Sequence, residues 1–426
     1  NLLHIKYFLP TYRLLSVDED FLTATDEALQ SLTTVLSRIV QCLLDICDQN
    51  GILDAGKIEK LPRFSEIEWK GKLPADRTFR HVEAPGKVVV QLATAFLNLS
   101  AESQILGVYQ KLADGNFASC IPDMVNEDVL RGLEAKFHGL QSQYDTYISD
   151  SDIEIADTNL PVMRGHISII YHLLEIATDF CHYYERHVAF FTSKSQESQE
   201  SLISCEELLK LLFPFCIAFA NRFLKSARAL CQNMIKQYAE EGRIEVPIPI
   251  YRGFHVRPST LIARIIHHYG SEVRMILNGK EYDASKPLEL FRANEEINAL
   301  KRRELLSYIE KLKIIKEGNE LADTKIALHE IFLELLKQKK IILYDRNFSF
   351  DELKPAEGET LAEYVKHGVI HSLALGWIDI LTDIRATFVG DKRVLADIKI
   401  LAENGYGEDK YGNNVVLPQE LSYLKY

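Results

Sequence analysis

Up to about residue 240 the apolar positions recur with helical spacing. Leu29, Leu32, Val35, Leu36, Ile39, Val40, Leu43 and Leu44 fall at i, i+3, i+4 and i+7, which predicts a helix with one apolar face. Thr23 and Asp26 read as a capping box in front of it. The stretch from about 51 to 85 carries KLP twice and APG, and reads as a loop. Helical spacing resumes over about 87–112. Leu130, Leu133, Phe137, Leu140, Tyr144 and Tyr147 then form a heptad seam. Two long helices follow, about 160–191 and 201–241, joined by the polar stretch 193–201. Long helices with short joints predict an antiparallel bundle over residues 1–242.

The period changes at Arg243. Ile244, Val246, Ile248 and Ile250 alternate with polar and proline positions, as in a strand with one buried face. Pro247 and Pro249 lack the N–H on the same side, which predicts an edge strand. Residues 253–270 read as a turn and a helix whose face is Leu261, Ile262, Ile265, Ile266 and Tyr269, ending at Gly270. Residues 272–278 alternate again, Asn278-Gly279 signals a type I′ hairpin, and 281–285 returns. Beyond Pro287 the chain is helical and charged, about 288–316 and 323–340. Residues 339–345 are one more β-favouring run. Helices over about 360–388 and 392–403 precede a tail rich in Gly and Asn.

Composition narrows the classes. The 426 residues are 47% hydrophobic and 26% charged, as in a folded chain of two to three domains. Lys and Arg number 49 against 61 Asp and Glu, a net charge of −12, which argues against a general nucleic-acid binder. Residues 243–297 are near neutral, with eight Lys and Arg against seven Asp and Glu, so the acidity belongs to the helical regions. The cysteine count is seven, an odd number, and no CxxC occurs, so reduced thiols and a cytoplasmic setting are expected. The longest apolar run, Leu211 to Ala220, holds Pro214 and is too short to insert in a membrane. The opening NLLHIKYFLPTYRLL has no basic leader before an apolar core, so no signal peptide is expected.

Chemistry concentrates in Gly253-Phe254-His255-Val256-Arg257-Pro258-Ser259-Thr260. His255 stands just before a helix start, where unpaired N–H groups favour a phosphoryl group. A neutral imidazole nitrogen is a nucleophile near neutral pH. Arg257 could offer a guanidinium fork, and Ser259 and Thr260 could add hydroxyl donors. Pro258 fixes the first turn.

This segment, with the strand before it, the helix behind it and the NGKEYDA hairpin, resembles the active-site signature of HPr. HPr is the histidine phosphocarrier of the bacterial phosphoenolpyruvate-dependent sugar phosphotransferase system. The resemblance covers about 45 residues. It implies that His255 is the phospho-acceptor and Arg257 its electrostatic partner, with Pro258, Ser259 and Thr260 shaping the phosphoryl site. It implies an Enzyme I-like donor and a protein acceptor or regulatory target, and no cofactor. It also implies an open-faced sandwich of four antiparallel strands, the fourth lying between the first and second. Many HPr proteins carry a regulatory serine after the hairpin; here Lys286 takes its register, Ser285 one residue early is the candidate for that role, and Ser285 also reads as a helix cap. No strand follows the hairpin promptly, so 341–345 is the expected fourth strand, after inserted helices at about 295–338.

The expected architecture is multidomain and mainly α with a small α+β part. A helical bundle (1–242) precedes an HPr-like domain (243–426) built on 243–297 and the strand near 341–345, with C-terminal helices about 360–403. The expected function is a phosphocarrier or regulatory protein that signals through its helical domain. Two other classes stand beside it. One is a protein–protein interaction module whose HPr-like domain is structural. The other is a metal-binding bundle using His172, Glu175, Asp179 and His182, which lie at i, i+3, i+7 and i+10 on one helix. His166 or His172 could also accept phosphate from a bundle helix. No Walker loop, GxGxxG or nucleophile elbow occurs.

Overall fold

The computed structural model describes residues 1–8, 19–52, 84–111, 117–188, 203–311, 324–344 and 359–425. The chain divides into two compact units, Asn1–Tyr238 and Ala239–Tyr426. Most of the loop expected over 51–85 and all of the linker expected at 193–201 lie outside the described residues.

The first unit is helical. Its described helices are α1 (Leu2–Phe8), α2 (Glu19–Gln49), α3 (Pro85–Glu102), α4 (Glu127–Tyr147), α5 (Asp152–Ala156), α6 (Asn159–Tyr183), α7 (Cys205–Lys210) and α8 (Ala218–Tyr238). α4 packs on α6, α3 on α8, and α6 on α8. The heptad seam of α4 is the buried face, with Leu130, Leu133, Phe137, Leu140 and Tyr144 inside and Tyr147 exposed. Asn126 caps that helix by accepting from the Val129 N–H. Arg164 of α6 grips Asp145 of α4 with two nitrogens, at 2.7 and 2.8 Å. Between α7 and α8 the helix widens into a π turn, Leu211–Ile217, around Pro214. Proline there removes one N–H from the ladder, and the wider turn absorbs the mismatch. α2 departs from expectation. Thr23 and Asp26 lie inside the helix and do not cap it. Phe21, Thr25, Ala28 and Val35 are its buried positions, while Leu36, Val40 and Leu43 are exposed. Phe21 decides this by seating its ring on Phe219 and Phe223, at 4.8 and 5.0 Å.

The second unit holds a four-stranded antiparallel sheet. Its strands, with their spatial order, are β1 (Glu241–Pro247), β6 (Arg385–Asp391), β2 (Val273–Leu277) and β3 (Lys280–Asp283). Asn278 and Gly279 both have positive φ, 50° and 80°, as the type I′ hairpin between β2 and β3 requires. β1 is an edge strand, closed by Pro247. α9 (Val256–Tyr269) and α13 (Lys392–Glu403) pack with the sheet around Phe254, Ile262, Ile266, Met275, Phe388 and Ile398. Between β3 and β6 lie α10 (Pro287–Lys311), α11 (Thr324–Lys337) and α12 (Leu361–Ala374). With β4 (Ile341–Leu343) and β5 (Ile378–Ile380) they enclose a second core around Leu305, Leu328, Ile331, Leu335, Val365 and Val369.

Two expectations about this unit are corrected. The run near 341–345 is not the fourth strand of the main sheet. Ile341–Leu343 pairs with Ile378–Ile380 in a separate two-stranded sheet. The strand between β1 and β2 is Arg385–Asp391, whose Ala386 and Phe388 are fully buried. The helix expected over 360–388 stops at Ala374, because Gly376 turns left-handed at φ 71° and lets Trp377 N–H reach back to the Ser372 carbonyl. The freed residues then form β5 and β6. Among the described residues, no helix is long and apolar enough to cross a membrane.

Candidate functional site

His255 is the N-cap residue of α9, with extended backbone and no side-chain cap bond. The helix begins there because Pro258 suits a first turn, and Leu261, Ile262, Ile265 and Ile266 pull it onto the sheet. The imidazole is 23% exposed, and its Nε2 lies 3.1 Å from the carboxylate of Glu408, itself 8% exposed. Nδ1 lies 3.1 Å from the Gly253 carbonyl oxygen, which also accepts the His255 N–H at 2.8 Å. The Tyr251 ring meets the imidazole edge to face at 5.3 Å.

The tail expected to be a loop supplies Glu408. Tyr406 anchors this segment: it is 1% exposed, and its hydroxyl donates to the Pro247 carbonyl at 2.6 Å. Asp409 then ties a tight turn by accepting from Tyr411 N–H, Asn413 N–H and Asn413 Nδ2, at 2.8 to 2.9 Å. Those bonds hold its carboxyl below the usual carboxylate range. Gly412 sits so close to Tyr251 that a Cβ there would stand 2.6 Å from the ring. Arg257 packs over Gly407, the residue before Glu408 in the chain, and its Nε is buried without a hydrogen bond.

In a neutral imidazole that keeps its proton on Nε2 for Glu408, Nδ1 carries the lone pair. Both ring nitrogens face an acceptor and a neutral imidazole can donate to only one, so the charged Glu408 carboxylate is the stronger claimant for the proton and the Gly253 carbonyl then faces an unprotonated Nδ1. The site therefore joins the Tyr251–His255 turn, the start of α9 and the Gly405–Asn414 segment.

Two of the expected phosphoryl donors are otherwise engaged. Ser259 is fully buried and its hydroxyl donates to the Phe254 carbonyl at 3.0 Å. The Thr260 hydroxyl donates to the Val256 carbonyl at 2.7 Å. Both face back along the helix because a hydroxyl inside the first turns satisfies a local carbonyl more cheaply than a distant one. Pro258 is buried in the first turn. Ser285 does not cap α10. Its hydroxyl and its N–H both go to Asp283 Oδ1, at 2.6 and 3.0 Å, within the turn after β3.

The histidine row of α6 does not converge. His172 is buried with Nδ1 3.4 Å from Glu175, Asp179 is exposed, and His182 turns to Glu127 of α4 at 2.8 Å. Among the described residues no group of three or more His, Cys, Asp and Glu is placed to hold a metal ion. His166 is fully buried between the Val162 carbonyl and the Ser226 hydroxyl, so it cannot meet a phosphoryl donor.

Burial holds the His166 imidazole below its ordinary value of 6.5, against an opposite pull from the Val162 carbonyl. The unfolded chain therefore takes up a proton that the folded unit resists. This contribution to stability is full above the ordinary value and is lost as pH falls below it. Thermal melts between about pH 7.5 and 5.5 should show wild type losing more stability on acidification than His166→Gln. Equal pH dependence in the two would overturn the assignment.

Glu408, Tyr251, Asp379 and Asn294 carry no local signal that links them to His255. Glu408 is 153 residues away and stands in a segment whose Gly and Asn content reads only as turns. Comparison of the chain with protein-family models, with curated proteins and with solved structures finds no match.

Proposed function

We propose that this protein is a phosphohistidine carrier or regulator of HPr type, phosphorylated reversibly on His255. The observation that carries the reading is the pairing of a partly exposed His255, at the start of α9, with the buried Glu408 carboxylate. Glu408 keeps the proton on Nε2, and Nδ1 attacks phosphorus as the donor's bond to phosphorus breaks. No proton need leave the ring during transfer. The Gly253 carbonyl faces Nδ1, so that contact has to open as the phosphoryl group arrives while Nε2 stays on Glu408. Arg257, whose Nε lies against Gly407, is the cation this reading assigns to the added negative charge. The strand order β1-β6-β2-β3 also supports the reading, since its last strand lies between the first and second. Enzyme I-like proteins are the expected donors.

The test is incubation with Enzyme I and labelled phosphoenolpyruvate, followed by mapping of the label. Acid-labile, base-stable label on His255 is the expected result. An absence of label with every Enzyme I tried, or label on another residue only, overturns the reading and favours an interaction module without phosphoryl chemistry.

A further inference from the structure

We propose that Asp379 and Asn294 are positioning residues for His255, supplied by the segment between β3 and β6. This rests on the phosphocarrier reading of His255. The Arg252 peptide groups are held from two sides. Asp379 Oδ2 accepts the Arg252 N–H at 2.9 Å, and Asn294 Nδ2 donates to the Arg252 carbonyl at 3.0 Å. Asp379 is itself fixed: its other oxygen accepts Lys301 Nζ at 2.6 Å and the Ile380 N–H at 2.7 Å. Lys301 and Asp379 are only 1% and 4% exposed. Removing two charges from water is costly, and apolar side chains of the same size would pack as well. The pair makes sense where it fixes a geometry.

That geometry is a left-handed turn. Arg252 has φ 53° and Gly253 φ 62°. The first is disfavoured for any residue with a Cβ. The second position has no room for one, since a Cβ would stand 2.1 Å from Asn294 Oδ1. The two successive left-handed residues aim the Gly253 carbonyl at His255, where it meets both the backbone N–H and Nδ1. The chain of contacts runs from Asp379 and Asn294 to the Arg252 peptide groups, to the Gly253 carbonyl, and to the His255 N–H that it accepts, which sets where the imidazole stands at the start of α9.

The experiment compares phosphoryl transfer from Enzyme I and phosphoenolpyruvate to full-length wild type, Asn294→Ala, Asp379→Ala and Asp379→Asn. Nitrogen NMR of the His255 ring is recorded in parallel. A displaced reacting atom lowers transfer steeply, so Asn294→Ala and Asp379→Ala should slow it by about tenfold or more. Both should shift the Nδ1 resonance. Asp379→Asn keeps an acceptor for the Arg252 N–H and should recover part of the loss. Wild-type rates and an unmoved resonance in the folded variants overturn the proposal, as does a rate loss that only follows the folded fraction. Asn294→Ala leaves the buried ion pair intact, so it decides alone if the Asp379 variants do not fold. If wild type takes no label, the phosphocarrier reading fails, and the resonance decides the positioning: a shift in Asn294→Ala supports it, and no shift overturns it.

Discussion

His255→Ala and His255→Gln are both expected to lose all phosphoenolpyruvate-derived label. Neither side chain offers a nucleophilic ring nitrogen. The two variants separate chemistry from folding. His255 makes no cap bond with its side chain, so α9 does not depend on it for its start. Alanine, however, leaves the buried Glu408 carboxylate without its imidazole partner, which costs about 1–3 kcal/mol. Glutamine can still donate a hydrogen bond to Glu408. His255→Gln should therefore melt close to wild type, His255→Ala somewhat lower, and neither should carry label. Label in either variant at the wild-type level would place the phosphoryl group elsewhere.

Lys301→Met should destabilise the second unit by about 3–5 kcal/mol, because it leaves the Asp379 charge buried without its cation. Two N–H groups still point at that carboxylate, from Arg252 and Ile380, so the lower part of the range is expected. Denaturant unfolding measures the loss. The double variant Lys301→Met with Asp379→Leu removes both charges and should regain part of it. It should not regain all, since the Arg252 N–H then has no acceptor. A loss below about 1 kcal/mol in the single variant would mean that water reaches the pair and that the pair does not brace the turn.

The start of α9 was legible because its signals are local. Proline in the first turn, glycine at 253 and 270 and four apolar positions on one face lie within eighteen residues, and short-range sterics read the same way in any fold. The hairpin at Asn278-Gly279 was legible for the same reason. The fourth strand of the sheet was not. Ile341–Leu343 is the β-favouring run, Arg385–Asp391 begins inside the stretch with helical spacing, and only pairing puts the second in the main sheet. α11, α12 and the two-stranded sheet bury Ile341 in their own core with Leu343 packed against it, which leaves Arg385–Asp391 to fill the gap between β1 and β2. α2 gives a further case. Its spacing implied an apolar face, but the faces differ by which one meets Phe219 and Phe223.

Hydrophobic period and turn chemistry by themselves determined that the chain turns from helical to mixed near residue 240, that a strand, a helix and a hairpin follow in that order, and that His255 heads that helix. Tertiary structure decided what surrounds that imidazole. Glu408 reaches it from 153 positions away along the chain, and Asp379 and Asn294 hold the Arg252 peptide groups beside it from 127 and 42 positions away. A carboxylate or an amide acts over about 3 Å, and no spacing rule connects residues that far apart in sequence until packing has brought their segments together.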